Sequence, residues 1–340
     1  MTMMIYLNQI IDEYVENGIV AHLAVRVGKG NDIIYDTYRG GVDQTTRFDM
    51  ASVTKIMATT PLALIALDRG LLKLSDSVSR FYKTEKPLTV KHLLTHAVGI
   101  GHKALNIDGN TYANIAEKIL SIPSDIPIGK DVLYSCPGFI LLGKILESIF
   151  DLPLDQCFDQ LVAHPLGLQN TSFLPKDPYH TVNSNLEEAR RGTVNDYNCH
   201  FLGGVAGNAG LFSTISDVTK YVHFLQNRGA PLIGEQTFLQ AAQNHTEGMK
   251  ESRGLGFLYV DERYKQTGTL FSPGAIGHCG HTGQSVFVDC QTGLYAIILS
   301  DATISTVKKY GNEHYAEVME MRRRLHTAIH RDLQTLQCLQ

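Results

Sequence analysis

No stretch of the chain approaches the roughly 18 consecutive apolar residues that a membrane-spanning helix needs, so nothing reads as a transmembrane segment. Basic residues never run longer than Arg322-Arg323-Arg324, on a segment that reads as a terminal helix, and the formal net charge is -4. That balance argues against a nucleic-acid surface. Cysteine is sparse: the six residues at 136, 157, 199, 279, 290 and 338 form no C-x-x-C pair and lack the density of a disulfide scaffold. They are expected as free thiols in a reducing compartment. Internal repeats and low-complexity segments are missing, and the glycines between 203 and 210 contain no phosphate-binding G-x-x-x-x-G-K-[ST]. Those glycines read as tight backbone packing near a cleft. The N-terminus has no basic flank ahead of an apolar stretch of signal-peptide length, and Asp12, Glu13 and Glu16 follow at once. It reads as the first helix of the fold, with cytoplasmic residence as the expectation, although a trimmed export leader would leave the same sequence.

What is present is the composition of an ordinary globular protein: 340 residues, 44% hydrophobic and 19% charged, with 30 glycines. This suffices for one large domain or two intimately packed ones. Residues 20 to 27 and 32 to 38 read as a β-hairpin punctuated by Gly28 and Gly30. Residues 52 to 69 read as a helix stopped by Gly70 and kinked at Pro61. Residues 88 to 228 are dominated by helical patterns, among them 141 to 150 and 216 to 227. Strands return at 255 to 260, 284 to 289 and 294 to 300, before a terminal helix over 312 to 335. Strands at both ends around a helical middle imply one sheet built from distant segments, with a helical domain inserted. The division expected is 1–80 with 235–340 for the sheet domain and 81–234 for the insert, and their boundary is a natural place for a cleft.

Within that frame Ser52-Val53-Thr54-Lys55 carries the most chemistry. Residues three apart on a helix share a face, so the Lys55 amine can reach the Ser52 hydroxyl. A serine at its free pKa is a poor nucleophile, and a desolvated lysine is one way to activate it. The helix N-terminus adds a partial positive charge and free backbone N–H groups where an oxyanion would form. Taken alone, the same four residues also describe an N-capping serine and a solvated lysine.

Three further passages lift the pattern out of that ambiguity. Leu93-Leu94-Thr95-His96 with Gly99-Ile100, Tyr134-Ser135-Cys136 ahead of Gly138, and His281-Thr282-Gly283 ahead of 284 to 289 follow in that order. Together with the glycine-rich run Gly203 to Thr214 they resemble the serine β-lactamase-like superfamily of class C β-lactamases, DD-peptidases and related esterases. The resemblance spans about residues 10 to 330. It implies an α/β (α+β type) fold: a mainly antiparallel sheet flanked by terminal helices, with an inserted all-helical domain.

The resemblance also implies a serine hydrolase working through a covalent acyl-enzyme on carboxylic esters or amides, including D-amino-acid peptides or β-lactams, with no cofactor or metal. Ser52 is then the nucleophile, with Lys55 and Tyr134 sharing the base role. The backbone N–H groups of Ser52 and Gln284 form the oxyanion hole. Cys136, His281, Thr282 and Gly283 bind substrate, and the family often keeps a cation for a substrate carboxylate near the histidine. Cys136 stands where β-lactamases and peptidases have asparagine, and a thiol is a weak donor and acceptor. That departure favours an esterase or an unusual amidase. It also leaves the alternative of a penicillin-binding or sensing module that is acylated but does not turn over. Oligomeric state stays open. His96 reads as a buried structural histidine, and His278-Cys279-Gly280-His281 has no second ligand cluster to make a zinc site.

Overall fold

The computed structural model of the chain describes residues 4–108, 113–311 and 314–338. Among the described residues nine strands form two sheets. In chain order they are β1 (Leu23–Lys29), β2 (Asp32–Arg39), β3 (Phe48–Asp49), β4 (Ser172–Phe173), β5 (Leu211–Ser213), β6 (Leu258–Tyr259), β7 (Ile276–Cys279), β8 (Ser285–Val288) and β9 (Leu294–Ser300). The large sheet runs β2-β1-β9-β8-β7-β6 with every pairing antiparallel, so the N-terminal hairpin is stitched to the C-terminal strands by β1 against β9. The small sheet, β3-β5-β4, ties the segment just before Ser52 to the middle of the chain.

Both faces of the large sheet are covered, which is why β9 reads as a near-continuous apolar run. Side chains alternate across it. Val25, Val27, Phe287, Ala296 and Ile298 face the terminal helices Ile5–Glu16 and His314–Cys338. Ala24, Val286, Val288, Ile297 and Leu299 face a larger core shared with helices Thr60–Asp68, Cys136–Phe150 and Ile215–Gln226. Buried on that second face, Arg26 meets Asp36 of the neighbouring strand at 2.7 Å.

Several local expectations are corrected. The helix expected over 52 to 69 runs unbroken from 53 to 68 after a turn at Ser52, but its winding is not uniform: Lys55–Thr59 form a π-helical turn that leads directly into the α-helix Thr60–Asp68. Pro61 lies inside this helical run, directly after the π-helical turn, so the irregularity expected at the proline takes the form of a local widening of the helix. The strand expected over 255 to 260 contracts to Leu258–Tyr259, and β7 and the helix Ala302–Tyr310 appear where no element was expected. The middle helices begin earlier than their apolar pattern: Ser135 caps Cys136–Phe150 and Thr214 caps Ile215–Gln226. Cys136, Cys157, Cys199, Cys279 and Cys290 are free thiols. Among the described residues no helix is long and apolar enough to cross a membrane.

Candidate active site

Ser52 follows a braced turn. The Asp49 carboxylate accepts from the Ala51 and Asn195 amides at 2.8 and 2.7 Å and from the Ser184 hydroxyl at 3.0 Å. Ala51 is held at a left-handed φ of 45°, a conformation an alanine adopts only when its surroundings impose it. One turn later the fully buried Lys55 places Nζ 3.0 Å from Ser52 Oγ, 2.8 Å from the Asn208 carbonyl oxygen and 3.5 Å from Cys136 Sγ. From the other side the Tyr134 hydroxyl donates to Ser52 Oγ at 2.7 Å.

Each partner is positioned by its own local structure. Tyr134 directly precedes the capped helix Cys136–Phe150, and the Ser135 amide donates to His96 Nδ1 at 3.0 Å. The buried His96 ring lies between Tyr134 and Phe139, with centroids 4.6 and 4.8 Å away. It is a structural histidine, pushed well below its ordinary pKa by burial. Asn208 comes from the glycine-rich run. A Cβ on Gly207 would lie 2.1 Å from the Phe139 carbonyl oxygen, so only glycine lets this backbone reach the helix and present the next carbonyl to Lys55.

Burial pushes the Lys55 amine down, since a charged ammonium loses its hydration there. Burial likewise pushes the Tyr134 phenol well up, against the hydrogen bond to Ser52. At Cys136, burial raises the thiol, but the Lys55 charge and a hydrogen bond from His102 outweigh it and the net direction is down. The pair is reciprocal: the bond to Cys136 raises His102. Ser52, Tyr134, Cys136 and His102 open onto a cavity of about 900 Å³.

The Beta-lactamase family model matches residues 7–320, nearly the whole chain. The chain belongs to the beta-lactamase family. A protein of Salmonella agona (strain SL483), provisionally named a D-alanyl-D-alanine carboxypeptidase, is 26% identical over 308 residues, covering 77% of this chain and 71% of the relative. Among solved structures, EstCE1, a hydrolase with promiscuous acyltransferase activity, superposes with a TM-score of 0.74 at 20% identity, covering 94% of this chain and 97% of that one. Simvastatin synthase (LovD) from Aspergillus terreus superposes with a TM-score of 0.73 at 17% identity, covering 95% and 97%. The solved structures show a β-lactamase/transpeptidase-like fold, and the family with its carboxypeptidase-named relative marks the chain as a hydrolase.

Of the residues singled out from sequence, this beta-lactamase-family chain brings Ser52, Lys55, Tyr134 and Cys136 together, and His281 lies at the cavity edge. His281 is exposed and stacks on Tyr315 at 5.6 Å. Thr282 departs from the expected substrate-facing wall: it is buried and its hydroxyl donates to the Asp49 carbonyl at 2.8 Å. Gly283, with φ 121°, is likewise spent on packing, since a Cβ there would meet Ser300 Oγ at 2.2 Å. The Gln284 side chain braces the same turn, donating to Thr282 Oγ1 at 3.0 Å and accepting from the Ser300 amide at 2.8 Å. The backbone amides of Ser52 and Gln284 donate to no protein acceptor among the described residues.

Sequence reasoning missed His102, Asn208 and Arg253, and considered His278 only in a zinc reading that it set aside. Of these, Asn208 alone carried a signal, its place in the glycine-rich run. His278 and His281 part company: the His278 ring is buried with its centroid 6.1 Å from that of Tyr134. No group of three or more His, Cys, Asp or Glu side chains among the described residues is arranged to hold a metal ion.

Proposed function

We propose that the protein is a serine hydrolase that cleaves carboxylic esters or amides through an acyl-enzyme on Ser52. One observation carries this reading: Ser52 Oγ is within hydrogen-bonding distance of both Lys55 Nζ, at 3.0 Å, and Tyr134 OH, at 2.7 Å, on the wall of a cavity. A neutral Lys55 has two N–H groups and one lone pair. With one N–H on the Asn208 carbonyl, the lone pair is free to take the Ser52 proton as Oγ attacks the substrate carbonyl carbon. The opposite pKa directions of the two neighbours divide the work. The lowered Lys55 amine, when it has given up its proton, is the acceptor, and Tyr134, a protonated phenol, relays a proton to the leaving group. The Ser52 and Gln284 amides stabilise the tetrahedral oxyanion, a role worth about 3–4 kcal/mol per donor in other hydrolases. Water then attacks the acyl carbon by the same relay in reverse.

Steady-state hydrolysis of nitrophenyl esters by the parent and by Ser52→Ala tests the reading. It requires near-complete loss in the variant, and equal rates would eliminate it. A second reading, slow acylation without turnover, is favoured by Cys136 in place of asparagine, and multiple turnovers on any ester, lactam or D-peptide would rule it out.

A further inference from the structure

Lys55 Nζ stands 3.5 Å from Cys136 Sγ, so the amine that reaches Ser52 also has a thiol as its neighbour. Local sequence does not pair them. Lys55 opens the π-helical turn after Ser52, Cys136 opens the helix Cys136–Phe150, and 81 positions separate the two. On its other side Cys136 meets His102, which is exposed and borders the same cavity as the thiol. Cys136 itself is 2% exposed, and a small reactant approaches its sulfur from the cavity.

The three groups are chemically complementary. The bond to Cys136 raises His102, and burial lowers the Lys55 amine. Burial raises the thiol, but Lys55 and His102 outweigh it even with Asp196 opposing them. An imidazolium and a thiolate beside a neutral amine follow from those directions. A thiolate is the form that hydroperoxides oxidise, and the sulfenic acid produced condenses with a nitrogen nucleophile within reach.

We propose that Cys136 is a redox modification site, where a hydroperoxide and then Lys55 convert the thiol into a sulfenamide that disables the amine. In the first step sulfur attacks one peroxide oxygen, the O–O bond breaks, and the departing hydroxide or alkoxide takes the proton held by His102. Sulfur is oxidised and the peroxide is reduced by the same electron pair. In the second step the Lys55 nitrogen attacks sulfur, an S–N bond replaces the S–O bond, and water leaves with one amine proton. The nitrogen is then tied to Cys136 and no longer takes the Ser52 proton. Dithiothreitol reverses the change: one thiol opens the S–N bond to a mixed disulfide, and the second frees Cys136. The effect on activity rests on the acyl-transfer reading of Ser52, whereas the bond itself is detected without turnover.

Intact-mass analysis and peptide mapping after titration with hydrogen peroxide test the proposal. The expected product is lighter by two hydrogens, joins the Lys55 and Cys136 peptides, and reverts with dithiothreitol. Ser52→Ala forms the same cross-link, because the serine takes no part in it. In the parent, fluorophosphonate labelling falls at least about tenfold as the cross-link forms and recovers on reduction. His102→Gln, which alters an exposed residue, forms the cross-link more slowly. A two-hydrogen loss that maps to a disulfide between Cys136 and Cys279, which borders the same cavity, overturns the proposal. So does a sulfenic acid at Cys136 that persists without the cross-link, or an unchanged Cys136 beside other oxidised thiols. Full labelling of the cross-linked protein leaves the modification site standing and contradicts instead the base role of Lys55.

Discussion

Lys55 Nζ donates to the Asn208 carbonyl oxygen at 2.8 Å, joining residues 153 positions apart in the chain. A buried amine with a fixed acceptor has one orientation for its remaining valences, and that orientation points at Ser52. Lysine is costly in such a place, so its replacement separates function from stability. Lys55→Met, similar in length and apolar, is expected to lower the acylation rate by roughly 10²–10⁴ while holding or raising the unfolding midpoint. Stopped-flow burst kinetics beside thermal melts check both halves. Unchanged acylation would contradict the role assigned to the amine.

Tyr134→Phe removes one oxygen and keeps the ring against His96. The expected outcome is a fold with an unaltered melting profile and a burst phase slowed by roughly 10²–10⁴. A burst as fast as that of the parent would place the leaving-group proton elsewhere.

Asp49 links the active-site turn to pH. Burial raises its carboxyl from 3.8 to about 6, against hydrogen bonds from Asn195, Ala51 and Ser184 that lower it. Between those values the folded chain keeps a proton that the unfolded chain has released, so this group's contribution to stability falls as pH rises through the window. A shift of about two units corresponds to roughly 3 kcal/mol. Asp49→Asn cannot ionise, so its deficit relative to the parent should shrink by up to about that amount between pH 4 and pH 7. Denaturant unfolding of both proteins across the range is the measurement, and parallel stability curves would refute the linkage.

Cys136 differs from its fellow thiols in environment. Its thiol is shifted downward by Lys55 and His102 against burial, whereas burial pushes Cys157 and Cys290 up to about 11 and Cys199 well up. Thiolate is the reactive form. Iodoacetamide at neutral pH is therefore expected to alkylate Cys136 before those three, with ester hydrolysis lost in step as the adduct crowds Lys55. Peptide mapping over time decides the order, and labelling of Cys157, Cys199 or Cys290 ahead of Cys136 would contradict the assignment.

The parts of the fold legible in sequence are those whose cause is local. Gly28 and Gly30 mark the turn of the β1–β2 hairpin, and the apolar run of β9 reflects a strand covered on both faces. By contrast, β7 is four residues long and includes Gly277, where a Cβ would fall 2.2 Å from the Val286 carbonyl oxygen. Its strand character comes from the neighbour it pairs with and leaves no alternation to read. The same division holds at the site. Ser52 and Lys55 are legible because three-residue spacing predicts their contact, while Tyr134, 82 positions away from Ser52, is reached only through a motif. Arg253, His102 and His278 line one cavity from segments with no shared period, so their convergence exists only in three dimensions.

Intact-mass analysis after treatment with a fluorophosphonate, followed by peptide mapping, tests the central claim most directly. A single adduct confined to the peptide bearing Ser52, and missing from Ser52→Ala, is the predicted result. An adduct on another residue, or equal labelling of the variant, would contradict the account.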